Sequence, residues 1–145
     1  MKVIVGYDDE SPTVEAVVRE LESRGAEVEV LDKDSWPDVA LKVGESVGSG
    51  VKDMGVLFCW TGTGTSMMAN KVRGVRAALC WEPWIAEGAR KYNDANVLVM
   101  SLKRTDPEEA LRILDAWFAV EHPDEDEIDN IAAIDRFERR GEAPS

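Results

Sequence analysis

The sequence predicts an α/β protein, a three-layer α/β/α domain around a five-stranded parallel, Rossmann-like sheet. Three observations predict it. Short, unbroken apolar runs recur along the 145 residues. Segments with apolar residues at helical spacing separate them. Glycine, proline and small polar residues mark most of the boundaries. Strands that alternate with helices build a parallel sheet covered on both faces, and such strands read as continuous apolar runs.

Each element follows from its residues. Lys2–Gly6 reads as a buried strand. Ser11 before Pro12 suits a helix N-cap with proline at the first helical position, and Val14, Val17, Val18 and Leu21 give Thr13–Arg24 one apolar stripe. Gly25 stops that helix, and Glu27–Leu31 is the second strand. Pro37–Val47 is the second helix, ended by the glycines between Gly48 and Gly50. Gly55–Cys59 is the third strand and is wholly apolar; Ser66–Val72 is the helix after it. Val75–Cys80 is the fourth strand, Pro83–Tyr92 the fourth helix and Asn96–Met100 the fifth strand. Thr105-Asp106-Pro107 caps a helix from Glu108 to Val120, and Asp124–Arg140 reads as a last, strongly charged helix before a frayed tail, Gly141–Ser145.

Composition limits the partners. Hydrophobic residues make up 44% of the chain, enough for one core, and residues 1–145 are expected to form a single domain. The formal net charge is -12. An acidic surface repels nucleic acid and anionic membranes, so neither is expected as a partner. No apolar run approaches the roughly 20 residues that cross a bilayer. Met1 leads directly into the strand-like Val3-Ile4-Val5, with no signal-peptide pattern before it. Cys59 and Cys80 each end an apolar run, which argues for free thiols, a reducing compartment and a cytoplasmic location. One histidine, His122, makes no zinc site, and no metal or cofactor is expected.

Ligands of open parallel sheets bind outside the carboxyl ends of the strands. That rule selects the loops Tyr7–Ser11, Trp60–Ser66 and Trp81–Trp84. Gly62 and Gly64 let the backbone approach a ligand closely, and exposed N–H groups at a helix start favour an anion or a developing oxyanion. The pair makes neither a Rossmann fingerprint nor a Walker loop, since the third glycine and the Gly-Lys step are missing. Cys59 enters this loop, where a helix N-terminus favours a thiolate base or nucleophile. Buried strand cysteines are more often inert, and Cys80 is the internal control, at a strand end without a glycine loop. Asp8 and Asp9 follow the first strand and could hold sugar hydroxyls or move protons, or simply cap a turn. Trp60, Trp81 and Trp84 suit the apolar faces of sugar rings and suit a subunit interface equally. Tyr92 to Asn96 needs no function, because Asn and Asp stop helices; Glu121–Asp129 is an acidic stretch beside which a phosphate would be repelled.

These segments together resemble the ribose-5-phosphate isomerase B / galactose-6-phosphate isomerase family. The likeness runs from Met1 to about Val120. It is carried by Val5-Gly6-Tyr7-Asp8, Trp36-Pro37-Asp38, Cys59-Trp60-Thr61-Gly62-Thr63-Gly64, Ala69-Asn70-Lys71-Val72, Gly74 through Cys80, and Asn93-Asp94-Ala95-Asn96-Val97-Leu98. The resemblance implies a metal-free aldose–ketose isomerase that moves a proton between C1 and C2 through a cis-enediolate. It implies a homodimer with sites shared between subunits, or a tetramer, with the last helix (about 124–140) at the interface. It assigns Cys59 as the proton-transferring base of the cysteine-using members. Thr61 and the loop Trp60, Gly62, Thr63 and Gly64 would line the enediolate site, Asp8 would assist ring opening, and Asn93 would hold substrate.

The chain also departs from the family pattern. Asp9 stands where the family has a histidine, Tyr92 where it has the histidine assigned to ring opening, and Trp60 where it has glycine. Lys103 replaces an arginine after the fifth strand, with Arg104 adjacent. The two phosphate-binding arginines fall in the stretch Pro123-Asp124-Glu125-Asp126-Glu127. Asp9, Tyr92 and Lys103 are therefore the candidate residues of an altered substrate site. The expectation is a sugar or sugar-phosphate isomerase with a changed substrate and doubtful action on ribose 5-phosphate. The alternative is a non-catalytic sugar-binding or regulatory protein on the same fold.

Overall fold

The computed structural model describes Met1–Glu142; positions 143–145, part of the tail expected to fray, lie outside the described residues. The strands are β1 (Lys2–Tyr7), β2 (Glu27–Val30), β3 (Met54–Cys59), β4 (Ala77–Leu79) and β5 (Val97–Ser101). The helices are α1 (Pro12–Ser23), α2 (Trp36–Gly48), α3 (Thr63–Ala69), α4 (Pro83–Asn93), α5 (Pro107–Phe118) and α6 (Ile128–Glu138). All five strands are parallel, in the order β2-β1-β3-β5-β4. The three-layer, Rossmann-like α/β/α fold expected from the sequence is the fold observed.

Side chains alternate across the sheet and divide the core in two. Val3, Val5, Val56, Phe58, Leu98 and Met100 face α1, α4 and α5, and pack with Val17, Leu21, Ile113, Leu114 and Trp117. Ile4, Leu57, Val97 and Val99 face α2, and pack with Val39, Val43, Val47 and Ala69 at the end of α3. Leu57 and Phe58 are fully buried on opposite faces. Truncating either to alanine would cost about 2–5 kcal/mol.

Helix starts follow their caps. The Ser11 hydroxyl accepts from the Thr13 N–H, the Ser35 hydroxyl from Asp38, and the Asp106 carboxylate from Glu109; each of these helices carries proline in its first turn.

Most boundaries shift by a residue or two from expectation, and three elements differ for a reason the structure shows. The third helix begins at Thr63, not Ser66, because Gly62 takes a left-handed φ of 81° and turns the chain into the helix at once. The fourth strand is only Ala77–Leu79, not Val75–Cys80. The Asn70 side chain closes its outer edge, donating to the Ala77 carbonyl at 2.9 Å and accepting from the Ala77 N–H at 2.8 Å. The last helix was read over Asp124–Arg140; a 3-10 turn over Glu125–Glu127 precedes a shorter α6 instead. Adjacent carboxylates at 124–127 and the absence of any buried side chain there leave that turn loosely specified. Beyond α6, the side chain of Glu142 pairs with Arg73. No helix of the described residues is long and apolar enough to cross a membrane.

Candidate active site at the β1–β3 crevice

The chain goes from β1 to β2 on one side of the sheet and then to β3 on the other, so its direction of winding changes between β1 and β3. Loops leaving two such strands diverge and open a crevice at their carboxyl ends. Tyr7 of β1 pairs in register with Phe58 of β3, and the Asp8 N–H reaches the Phe58 carbonyl at 3.3 Å. Asp8 and Cys59 therefore end neighbouring strands, about 4.8 Å apart by sheet geometry. Ile4 and Leu57 lie on the α2 face, and the period of two carries Asp8 and Cys59 to the same face. On the far side of Cys59, Ser101 of β5 is its register partner.

The loop after Cys59 is held from several directions. The carbonyls of Cys59 and Trp60 accept from the N–H groups of Leu102 and Lys103, at 2.9 and 3.0 Å. The Ser101 hydroxyl donates to the Trp60 carbonyl at 2.8 Å and accepts from the Arg104 N–H at 3.1 Å. The hydroxyls of Thr61 and Thr63 lie 2.7 Å apart. A Cβ on Gly64 would meet the Trp36 indole at 2.9 Å, so α2 presses an aromatic wall against the loop. The helix that follows has seven residues, which makes its dipole small; nearby charge stabilisation would come from the loop's own N–H groups.

One carboxyl and two thiols near the strand ends differ in their surroundings. Asp8 is raised above the ordinary carboxylate range, first by burial and further by Asp9, with its own backbone N–H offsetting part of the effect. Its buried Oδ1 has no hydrogen-bond partner. A buried carboxylate oxygen left unpaired at the carboxyl end of a strand is an acceptor available to a ligand hydroxyl. Cys80 is pushed up to about 12 by burial, which suits an inert core thiol. The Cys59 Sγ lies 3.2 Å from the buried Thr65 hydroxyl, whereas the Cys80 thiol donates to the backbone carbonyl of Ala78 at 3.6 Å.

The structure assembles most of the candidate residues at this edge. Asp8, Cys59, Thr61, Gly62, Thr63 and Gly64 all lie where the chain leaves the carboxyl ends of β1 and β3. Asp9 is exposed beside it and accepts from the Glu10 N–H. Trp60 is 60% exposed and does not fill the crevice; Lys103 Nζ lies 5.9 Å from its ring centroid. Tyr92 and Asn93 are not there. Helix α4 runs back along the sheet, and the Asn96 carbonyl accepts from the Gly55 N–H at the start of β3. Within one chain, these two residues lie at the opposite end of the strands from Cys59. They border a cavity of about 550 Å³ with Trp81, Trp84 and Gly88 on the outer side of α4. Among the described residues no cluster of His, Cys, Asp or Glu could hold a metal ion.

The contacts of two residues at this edge have no counterpart in the sequence pattern, although Trp36 belongs to a segment that carries the family resemblance. Trp36 starts an amphipathic helix, and its contact with Gly64 joins segments far apart in the chain. Thr65 stands in a run of Thr, Gly and Ser, and its burial follows only from the helix start at Thr63.

The sequence profile of the family described as "Ribose/Galactose Isomerase" matches residues 3–134. The chain belongs to this family. Ribose-5-phosphate isomerase B of Escherichia coli (strain K12) is 37% identical over 131 residues, which cover 86% of this chain and 87% of that protein. The solved structure of the Clostridium thermocellum ribose-5-phosphate isomerase B superposes with a TM-score of 0.89 at 34% identity, covering 96% of this chain and 98% of that one. That of the Mycoplasma genitalium enzyme, with bound ribulose-5-phosphate, gives a TM-score of 0.89 at 30% identity, covering 96% and 97%. A ribose/galactose isomerase fold accounts for both the strand order and the crevice between β1 and β3.

Proposed function

We propose that the chain is an aldose–ketose isomerase that works through a cis-enediolate, with Cys59 as the base. The observation that carries this reading is the pair Asp8 and Cys59, on one face at the ends of adjacent strands, within a ribose/galactose isomerase fold. Asp8 begins by passing a proton between the ring oxygen and the anomeric hydroxyl, and its raised proton affinity suits a group that both gives and takes. In the open aldose, the Cys59 thiolate removes the proton on C2. The electron pair moves into the C1–C2 bond and the carbonyl oxygen becomes an enediolate oxygen. Thr61 and the N–H groups between Trp60 and Gly64 meet the developing negative charge. The proton of the 2-hydroxyl passes to the oxygen on C1, the Cys59 thiol returns its proton to C1, and the C2 oxygen becomes the carbonyl of the ketose.

The substrate is a changed one in this proposal. The stretch Glu121–Asp129 is acidic and its 3-10 turn carries no basic residue. A phosphate dianion there would meet like charge. The cations near the crevice are Lys103, against Trp60, and Arg104, whose nearest carboxylate is Glu82 at 3.9 Å. A sugar lacking the usual terminal phosphate, or one carrying a different charge, fits this distribution.

The site is shared between two copies in this proposal. Trp81, Trp84 and Tyr92 are 41%, 67% and 48% exposed along α4, an apolar face that supports self-association. Exposed Ile134 and Phe137 extend it onto α6. A second copy would bring Tyr92 and Asn93 to the Cys59 crevice.

The decisive experiment is an isomerase assay over a panel of free and phosphorylated aldoses with the protein and its Cys59→Ala variant. Turnover that falls at least about 1,000-fold in the variant is the expected result. Unchanged turnover would remove Cys59 from the reaction. An advantage of about 100-fold or more in kcat/KM for ribose 5-phosphate over every other sugar would remove the altered-substrate reading. A second reading, a sugar-binding protein without turnover, is favoured by the distance of Tyr92 from Cys59 within one chain. It predicts a thermal shift with sugars and no product.

A further inference from the structure

Cys59 Sγ and Thr65 Oγ1 lie 3.2 Å apart, and Thr65 Oγ1 also lies 3.3 Å from the Gly62 carbonyl, toward which its hydroxyl donates. Thr65 is fully buried and Cys59 is 4% exposed, so water has little access to the pair. A hydroxyl has one proton. While that proton points to the Gly62 carbonyl, only the Cys59 S–H can donate across the S···O contact. This arrangement fits a neutral thiol. Once the thiol has lost its proton, the sulfur needs a donor, and the Thr65 hydroxyl is the side-chain group in reach. Turning the hydroxyl toward sulfur leaves the Gly62 carbonyl without it. That carbonyl stays satisfied, because it also accepts from the Ser66 N–H at 3.2 Å. The turn therefore breaks no backbone pairing and strands no buried acceptor.

We propose that Thr65 is a positioning residue for the reaction, a two-position hydroxyl that accepts from the Cys59 thiol and donates to its thiolate. The inference rests on the assignment of Cys59 as base. In each turnover the sulfur takes a proton from one carbon and returns it to the next, so it alternates between the two states. The Thr65 hydroxyl follows it: its proton lies toward sulfur before abstraction, toward Gly62 while the thiol holds the substrate proton, and toward sulfur again after return. No atom or electron is left over. The contact also fixes the direction of the sulfur, because Thr65 is anchored in the first turn of α3 while the carbonyl of Cys59 is tied to Leu102.

The test compares Thr65→Val, which removes the hydroxyl and keeps the shape, with Thr65→Ser, which restores it. Thiolate formation is followed by ultraviolet absorbance against pH, with Cys59→Ala as the blank. Cys80, pushed up to about 12, stays silent over the range used. Thr65→Val is expected to move the Cys59 titration upward by about one pH unit, the effect of losing one hydrogen bond to a charged group. It is expected to lower kcat by about 10–100-fold with KM changed less than about threefold, as for a group that acts on the reacting base. Thr65→Ser should recover most of both. A titration and a kcat in Thr65→Val that match the unaltered protein overturn the proposal. So does a loss that Thr65→Ser fails to rescue, since that would mark a packing role. If the titration moves but Cys59→Ala retains turnover, the Thr65 contact stands and the base assignment fails, which overturns a role for Thr65 in the reaction.

Discussion

Asp8 combines two properties that oppose each other. Its carboxyl is partly buried with one oxygen unpaired, which costs stability when it is ionised, and that same oxygen is available to a ligand. Because burial raises its proton affinity in the folded chain, the folded state binds more protons than the unfolded one across the carboxylate range. The penalty is therefore full at neutral pH and is relieved as pH falls through the folded-state value toward about 4. Asp8→Asn is expected to raise the melting temperature by about 1–3 °C at pH 7, with the gain shrinking in acid, while turnover falls by about 100-fold or more. A variant that melts lower than the unaltered protein at neutral pH would contradict this account. The position of Asp8 was legible in the sequence, because it follows an apolar strand at the ligand edge. Cys59 was legible for the same reason, and the two thiols sit differently: Cys59 Sγ lies beside the Thr65 hydroxyl, while the Cys80 thiol reaches a backbone carbonyl, that of Ala78, and is pushed up by burial. The contacts of Thr65 and Trp36 were not legible. One depends on where a helix starts, the other on a contact between distant segments.

At the scale of elements, the sequence pattern found the five strands and six α-helices of the described residues, and erred at their ends. The loop Cys59–Ser66 reads as a long turn because Thr, Gly, Thr, Gly, Thr and Ser are weak helix formers. Tertiary contacts override that weakness: the loop is tied to β5 through Leu102, Lys103 and Ser101, and Gly62 supplies the left-handed step. The α3 start is thus set by what surrounds it. Gly62→Ala tests this. A Cβ there would overlap Leu79 Cδ1 and lie 3.4 Å from the backbone N of Ser101, at a φ of 81°. Leu79 can yield, and the backbone strain remains. Urea denaturation should give a loss of about 1–2 kcal/mol, the cost of a left-handed non-glycine residue. Turnover should fall further than stability, because Thr61, Thr63 and Thr65 would shift with the loop. A fully active variant would show that the loop tolerates re-aiming.

The whole molecule shows the limit of reading function along a single chain. Alternation of strands and helices implies a parallel sheet, but the order β2-β1-β3-β5-β4 depends on pairings between segments far apart, which no local pattern encodes. The separation of Tyr92 and Asn93 from Cys59 follows from that order and from the return path of α4. If a second copy supplies them, disrupting the α4 face should abolish activity without touching the crevice. Trp84→Glu, at a residue 67% exposed, is expected to yield monomers in analytical ultracentrifugation, with an unchanged fold by circular dichroism and turnover lowered by about 100-fold or more. Monomeric unaltered protein, or an active monomeric variant, would refute the shared site. The side chain of Asn70 constrains how such copies meet. Its amide occupies both hydrogen-bonding groups of Ala77 on the outer edge of β4, as a neighbouring strand would. On the opposite edge, β2 is short and alternates Glu27 and Glu29 with its valines. Neither border of the sheet is a long bare strand edge, which disfavours growth of a fibre by strand addition.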